Sequence, residues 1–394
     1  MKPYTLVWAL AIIGARPAPV RRIGQRAVGG PPSDGRPRGL IQGLAAVLAV
    51  IAVILAAPSA VSAQALTEFT LPSPNSLPRG LVAGPDGALW FTQQNGNRIG
   101  RITTAGVITQ FTLPTAGSQP YGIAAGSDGA LWFTQQSGNR IGRITTAGVI
   151  SQFTLPTADS APWDITAGPD GALWFTQFSG NRIGRIDTAG VITQYALPTA
   201  GSSPWGIAAG PDGALWFTQY NGNRIGRITT AGVITQFTLP TAGSQPYGIA
   251  AGSDGALWFT QQSGNRIGRI TTAGVISQFN LPTAGSGPFG MAAGSDGALW
   301  FTQYNGNRIG RITTAGVISQ FNLPTAGSTP IGITAGPDGA LWFAEQSGNR
   351  IGRITTPAPA PAVVPTMTEW AMILFTLLLA GGAAVMVQRR RLVV

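Results

Sequence analysis

The chain contains no cysteine and no histidine among its 394 residues. Without cysteine there is no disulfide staple, no thiolate nucleophile and no zinc–thiolate site. Without histidine, every mechanism that relies on an imidazole base or ligand is closed. Surplus positive charge is also scarcer than the formal net charge of +11 suggests. Residues 1–63 carry seven Lys/Arg against Asp34, and the tail from Pro357 carries Arg389, Arg390 and Arg391 against Glu369. The stretch between them holds 15 Arg against 12 acids. The basicity therefore belongs mostly to the two ends, and nucleic acid is not an expected partner.

Both ends read as targeting segments. Arg36 and Arg38 precede an apolar run over residues 44–57, and Val61-Ser62-Ala63 places small residues at −3 and −1 of a signal-peptidase site. Residues 1–63 are thus expected to be a signal peptide with a long n-region, cleaved after Ala63; an uncleaved N-terminal anchor is the alternative. Residues 357–369 begin as a Pro/Ala linker. From Trp370 the chain is apolar and uncharged over 18 residues, enough for one membrane-crossing helix, before the Arg cluster that stays cytoplasmic. Residues 370–394 would hold the preceding domain on the outer side of the cytoplasmic membrane. The string Val364-Pro365-Thr366-Met367-Thr368-Glu369-Trp370, followed by such a segment, resembles the IPTL-type C-terminal sorting signals of Gram-negative bacteria. That resemblance implies a membrane sorting enzyme as a partner; a permanent anchor is the plainer reading.

Between the ends lies a repeat. Ala-Leu-Trp-Phe recurs with Trp at 90, 132, 174, 216, 258, 300 and 342, always 42 residues apart. That period, with four short β-type runs per unit, predicts an all-β, seven-bladed propeller of four-stranded blades over residues 64–356. One unit gives strand a over 121–125, b over 130–135, c over 140–145 and d over 149–156, separated by Asp-Gly and Asn-type turns. The chain opens on a lone d-type strand and its last unit stops after strand c. Residues 66–71 should therefore pair with 350–355 and complete blade seven, removing a free sheet edge. Residues 95–153 are identical to 221–279, so few positions vary.

Those that do vary gather at one end of the ring, where strand a opens and strand b closes. Strand a opens with Arg79, Tyr121, Trp163, Trp205, Tyr247, Phe289 and Ile331. Strand b closes with Gln93, Gln135, Gln177, Gln219, Gln261, Gln303 and Glu345, followed by another variable residue such as Phe178, Tyr220 or Tyr304. Strand a should line the channel, so aromatics and amides are expected around one mouth. Flat rings beside Gln amides suit a glycan or peptide ligand, with Tyr121, Trp163, Trp205, Tyr247, Phe289, Gln135, Gln177, Gln219, Gln261, Gln303 and Glu345 as candidate contacts. The aromatics would alternatively plug the channel.

The strings Pro-x-Gly-Ile, Gly-Pro-Asp-Gly-Ala-Leu-Trp-Phe-Thr and Gly-Asn-Arg-Ile-Gly-Arg-Ile-Thr resemble the virginiamycin B lyase (streptogramin lyase) family over residues 66–354. The resemblance implies a propeller and a site built from His where strand a opens in neighbouring blades. It also implies a Glu two positions before one such His, a Glu closing strand b, and magnesium. Here the His positions hold Arg, aromatics and Ile, and two positions earlier stand Leu77, Gln119, Ala161, Ser203, Gln245, Gly287 and Thr329. Only Glu345 is acidic among the strand-closing residues. Ring opening by elimination needs a base and an acid or metal, and an amide neither titrates usefully nor binds magnesium strongly. No catalytic residue, metal or cofactor is therefore expected. The expected function is a binding or scaffolding module of the cell envelope. A lyase drawing on Glu345 and Asp164 and a purely structural protein are the alternatives.

Three further features have competing readings. The seven turn Asp residues, Asp86 to Asp338, suit turn capping better than calcium, because no second carboxylate stands near. The Arg pair of each repeat, such as Arg98 and Arg101, either forms a cationic ladder or packs its stems along the strands. Asp164, which replaces the Gly after the aromatic in blade three, is expected to be a solvated carboxylate near the mouth.

Overall fold

The computed structural model describes residues 64–357, and every regular element among them is a strand. The signal-peptide, linker, sorting-motif and membrane-helix expectations fall outside those residues. The first strand, β1 (Leu66–Thr70), precedes blade one, which consists of β2 (Pro78–Ala83), β3 (Leu89–Gln93), β4 (Arg98–Ile102) and β5 (Ile108–Thr112). The pattern repeats through five blades, β6 to β25, and ends with β26 (Pro330–Ala335), β27 (Leu341–Glu345) and β28 (Arg350–Ile354). Six sheets keep chain order; the seventh is ordered β1-β28-β27-β26, antiparallel with Leu66 opposite Ile354 and Thr70 opposite Arg350. The expected closure of the ring by the N-terminal strand is what the chain adopts.

Each blade is held by the same few residues. The strand-b Trp is wholly buried and stacks on the strand-d aromatic, as Trp90 does on Phe111 at 5.5 Å. Its indole donates to the turn carboxylate: Trp90 Nε1 lies 3.0 Å from Asp86 Oδ1, while Arg101 Nε donates to Oδ2 at 2.6 Å. Burial works to raise the Asp86 pKa, but the bonds from Trp90 and Arg101 outweigh it and hold the carboxyl below its usual range. The turn Asp residues are thus structural anchors, and the second Arg of each repeat is their counter-ion. The facing strand-c position must be Gly, because a Cβ on Gly100 would stand 2.2 Å from the Phe91 ring.

Neighbouring blades are stitched by a strand-b threonine. Thr92 Oγ1 accepts from Gly80 N at 3.0 Å and donates to Tyr121 O of the next blade at 2.6 Å. The same bridge recurs from Thr134, Thr176, Thr218, Thr260 and Thr302. Blade seven carries Ala344 in that place, so its junction with blade one has no such bridge. The strand-a segments come so close that a Cβ on Gly80 would lie 2.6 Å from Tyr121 O, which explains a ring of glycines one residue after the opening position.

Candidate functional site

Strand b runs toward the face where strand a opens, so both variable sets lie at that end, together with the d-to-a loops. The aromatics converge as expected but pack on one another rather than standing apart. Ring centroids are 4.4 Å apart for Tyr121–Trp163, 4.3 Å for Trp163–Trp205, 4.3 Å for Trp205–Tyr247 and 4.5 Å for Tyr247–Phe289. Tyr121 and Tyr247 are buried, whereas Trp163, Trp205 and Phe289 remain partly exposed. Phe178, Tyr220 and Tyr304 extend the cluster: Phe178 lies 5.2 Å from Trp163 and Tyr220 5.6 Å from Trp205. Burial pushes the Tyr121 and Tyr247 phenols up, so both stay protonated.

Arg79 fills the opening position of blade one. Its Nη1 donates to Tyr121 Oη at 2.9 Å, its Nε donates to Gln94 Oε1 at 2.5 Å, and its guanidinium lies 4.6 Å from the Tyr121 centroid. Beneath the aromatics is a cavity of about 130 Å³ whose lining includes Arg79, Asp164, Trp205, Phe289 and the glycine ring.

Two expectations about this region are corrected. The strand-closing residues Gln135, Gln177, Gln219, Gln261, Gln303 and Glu345 do not present themselves at the mouth: each is fully buried within its blade. The cause is the strand-d glutamine 17 residues further on. Gln110 Nε2 donates to Gln93 Oε1 at 3.0 Å, and the pair recurs in the next five blades. Asp164 is not simply solvated either. Its Oδ1 accepts from Ile165 N at 3.0 Å and its Oδ2 from Ile207 N of the next blade at 3.1 Å. Its position in the channel wall raises its pKa to about 6, against the two backbone bonds.

Blade seven breaks the glutamine pattern at both partners. Glu68 of β1 and Glu345 of β27 occupy the paired positions. Glu68 accepts from Thr325 N at 3.2 Å and Thr325 Oγ1 at 2.6 Å, and lies 3.9 Å from Arg350 Nη1. Among the described residues no donor stands in hydrogen-bond geometry to either Glu345 oxygen; the nearby Ser328 hydroxyl donates to Thr325 O at 2.8 Å instead. Burial first, and the nearby Glu68 charge second, raise the Glu345 pKa to about 7, outweighing Ser328 and Arg350. Glu345 and Asp164 are held apart in different blades, one inside a sheet and one in the channel wall.

A further feature has no counterpart among the sequence expectations. The residues two positions before those that open strand a take left-handed backbone, with φ of 49° at Leu77, 50° at Gln119 and 49° at Thr329. Such angles cost energy for a Leu or a Thr and cluster at functional rims. Their carbonyls each accept from the variable residue after strand b, as Leu77 O does from Gln94 N at 3.1 Å, so the rim is braced all round.

Comparison with known proteins places these observations. A model described as the virginiamycin B lyase family matches residues 59–216 and 207–360. A virginiamycin B lyase of Staphylococcus aureus is 44% identical, with a TM-score of 0.72 over 74% of this chain and 99% of that one. A catalytically inactive His-to-Ala variant from the same organism, solved with quinupristin, matches equally, with 44% identity and a TM-score of 0.72. A Bacillus licheniformis virginiamycin B lyase is 49% identical over 41 residues, an alignment spanning 14% of that relative. The WD40 propeller of Doa1, at 11% identity and a TM-score of 0.61, shares the fold alone.

Proposed function

The chain belongs to the virginiamycin B lyase family, and from that premise we propose that it is a non-catalytic branch whose propeller binds a ligand at the aromatic mouth. The observation that carries this reading is the replacement of ionisable groups by rings where strand a opens. In the S. aureus relative the loss of one histidine abolishes catalysis; this chain has none. The groups that remain ionisable nearby are badly placed for elimination chemistry. Asp164 spends both oxygens on backbone N–H groups, and Glu345 is sealed inside blade seven. Trp163, Trp205 and Phe289 keep partly exposed faces, rimmed by Phe178, Tyr220 and Tyr304. Flat apolar faces with polar neighbours such as Gln94, Gln136 and Gln262 suit a sugar or polar peptide. In the cell the propeller would sit outside the cytoplasmic membrane, held by the C-terminal segment or released by a sorting enzyme.

A lyase reading keeps one point in its favour: Glu345 stands at a strand-closing position, with a pKa of about 7 suited to a general acid. One experiment separates the two. The purified full-length protein is assayed for opening of a streptogramin B with magnesium, and screened against glycans and peptides beside Trp163→Ala/Trp205→Ala. We expect no turnover, and about tenfold weaker binding by the double variant, from roughly 1 kcal/mol or less per stacking ring. Turnover that disappears in Glu345→Gln would establish the lyase instead. Unaltered binding by the double variant would reduce the rings to a channel plug.

A further inference from the structure

The small charge surplus of the repeats is not spread evenly over the two faces. On the face of the a-to-b and c-to-d turns, Arg101, Arg143, Arg185, Arg227, Arg269, Arg311 and Arg353 each lie 2.6 to 2.7 Å from a turn Asp. That face is neutralised pair by pair, with Asp187 left over in a c-to-d turn. The mouth face is different. Arg98 and its six counterparts at 42-residue steps, ending at Arg350, open strand c there, and Arg79 stands at the channel. Among the described residues, only Arg350 of these eight lies within ion-pair distance of a carboxylate, at 3.9 Å from Glu68. Several of the others meet neutral partners: Arg98 Nη1 donates to Ser73 Oγ at 2.9 Å, Arg140 to Thr115 Oγ1 at 3.2 Å and Arg266 to Thr241 Oγ1 at 2.7 Å. These hydroxyls belong to the d-to-a loops, so the guanidinium groups lie beside the mouth-face loops and remain partly exposed. The remaining acids of this half are Asp159, Asp164, Glu68 and Glu345, of which only Asp159 is exposed.

We infer that the mouth takes an acidic polysaccharide, a chain of carboxylate-bearing sugar units; this rests on the binding reading above. A guanidinium fork in every blade, repeated by the fold, matches a polymer whose own charge repeats better than it matches a single anion. Between that outer ring and the aromatic centre, blades two and five place amides and a hydroxyl: Gln119, Gln136, Ser137, Gln245 and Gln262. They supply donors and acceptors for sugar hydroxyls. The rings at the centre give flat surface for pyranose faces.

The test uses the full-length protein in detergent, with polygalacturonate and its methyl ester as probes at low and high salt. Polygalacturonate should bind, weaken steeply with salt, and outbind the ester. The variant Arg98→Gln/Arg140→Gln/Arg182→Gln should bind it about tenfold less tightly, from under 1 kcal/mol per exposed charge, with an unchanged unfolding midpoint. Equal binding of acid and ester, an unaffected triple variant, or duplex DNA bound as tightly as polygalacturonate would each overturn the assignment. The two readings fail separately. If the Arg variant loses binding while Trp163→Ala/Trp205→Ala does not, charge recognition stands and the aromatic site falls. If neutral glycans bind through the tryptophans regardless of the Arg ring, the reverse holds.

Discussion

Substituting Glu345 by Gln should stabilise this protein, and only on the alkaline side. Glu345 is wholly buried, has no hydrogen-bond donor among the described residues, and faces Glu68 on β1 and Arg350 on β28, with Ser328 in the adjoining loop. Its folded pKa of about 7 lies above the ordinary glutamate value of 4.5. The native state therefore holds a proton that the unfolded chain has lost between these values, and stability falls as pH rises from about 4.5 through 7. At 1.36 kcal/mol per unit, ionised Glu345 costs the native state about 3 kcal/mol above that window. The Glu345→Gln side chain would carry no charge and would present an amide donor toward Glu68, pairing the same two positions as Gln93 and Gln110 in blade one but with the donor on strand b rather than strand d. With an unfolding entropy of about 2 cal/mol/K per residue, the gain corresponds to roughly 5 °C in Tm. Thermal unfolding of both proteins, followed by near-UV circular dichroism, should show that gain at pH 8.5 and almost none at pH 4.5 (both roughly bracketing the window). An equal gain at both pH values, or none at the higher one, would refute the buried-carboxylate argument.

Three further outcomes follow from how the blades are joined. Deleting residues 64–70 should lower the unfolding midpoint of the entire propeller and raise hydrogen exchange even in blade four, because β28 gains a free edge and Trp342 loses its stack on Phe69. Exchange rising in blade seven alone would contradict that. Ala344→Thr should add about 1 kcal/mol by supplying the missing bridge between blades seven and one, while Thr218→Ala should cost about 1–3 kcal/mol by stranding Tyr247 O and Gly206 N. Urea denaturation of the two variants measures both.

The architecture was legible because the Trp spacing of 42 and the unequal ends of the repeat leave little freedom in how strands are shared between blades. The aromatic convergence was legible for the same reason: strand a is innermost in each sheet. The destination of the glutamines was not. A residue closing a strand looks like a rim residue until a long side chain from strand d covers it, and that contact is non-local. Its trace is nonetheless in the sequence, as a Gln-to-Gln spacing of 17 in six blades and a joint change to Glu at positions 68 and 345. Asp164 reads as solvated in the sequence, yet the glycine it replaces marks a close approach of backbones. A carboxylate there meets the next blade's N–H before it meets water. The bracing of the rim by left-handed residues has no residue-type signal at all, since Leu, Gln, Ala, Ser and Thr all occupy those positions.

Closure by the first strand also imposes an order on assembly. Ala65 and Thr355, which join at the seam, are 290 residues apart. A chain emerging from its N-terminus presents β1 long before its partner strand exists, so that strand waits with its N–H and C=O groups unpaired. Blades one to six form their sheets from neighbouring segments and can fold as they appear. The seventh is a long-range event whose loop-closure entropy grows only logarithmically with length, and it converts an open arc into a ring. The repeat also changes at the seam, at Glu68, Ala344 and Glu345. The seam that closes the ring is thus a place where stability falls as pH rises through the Glu345 window.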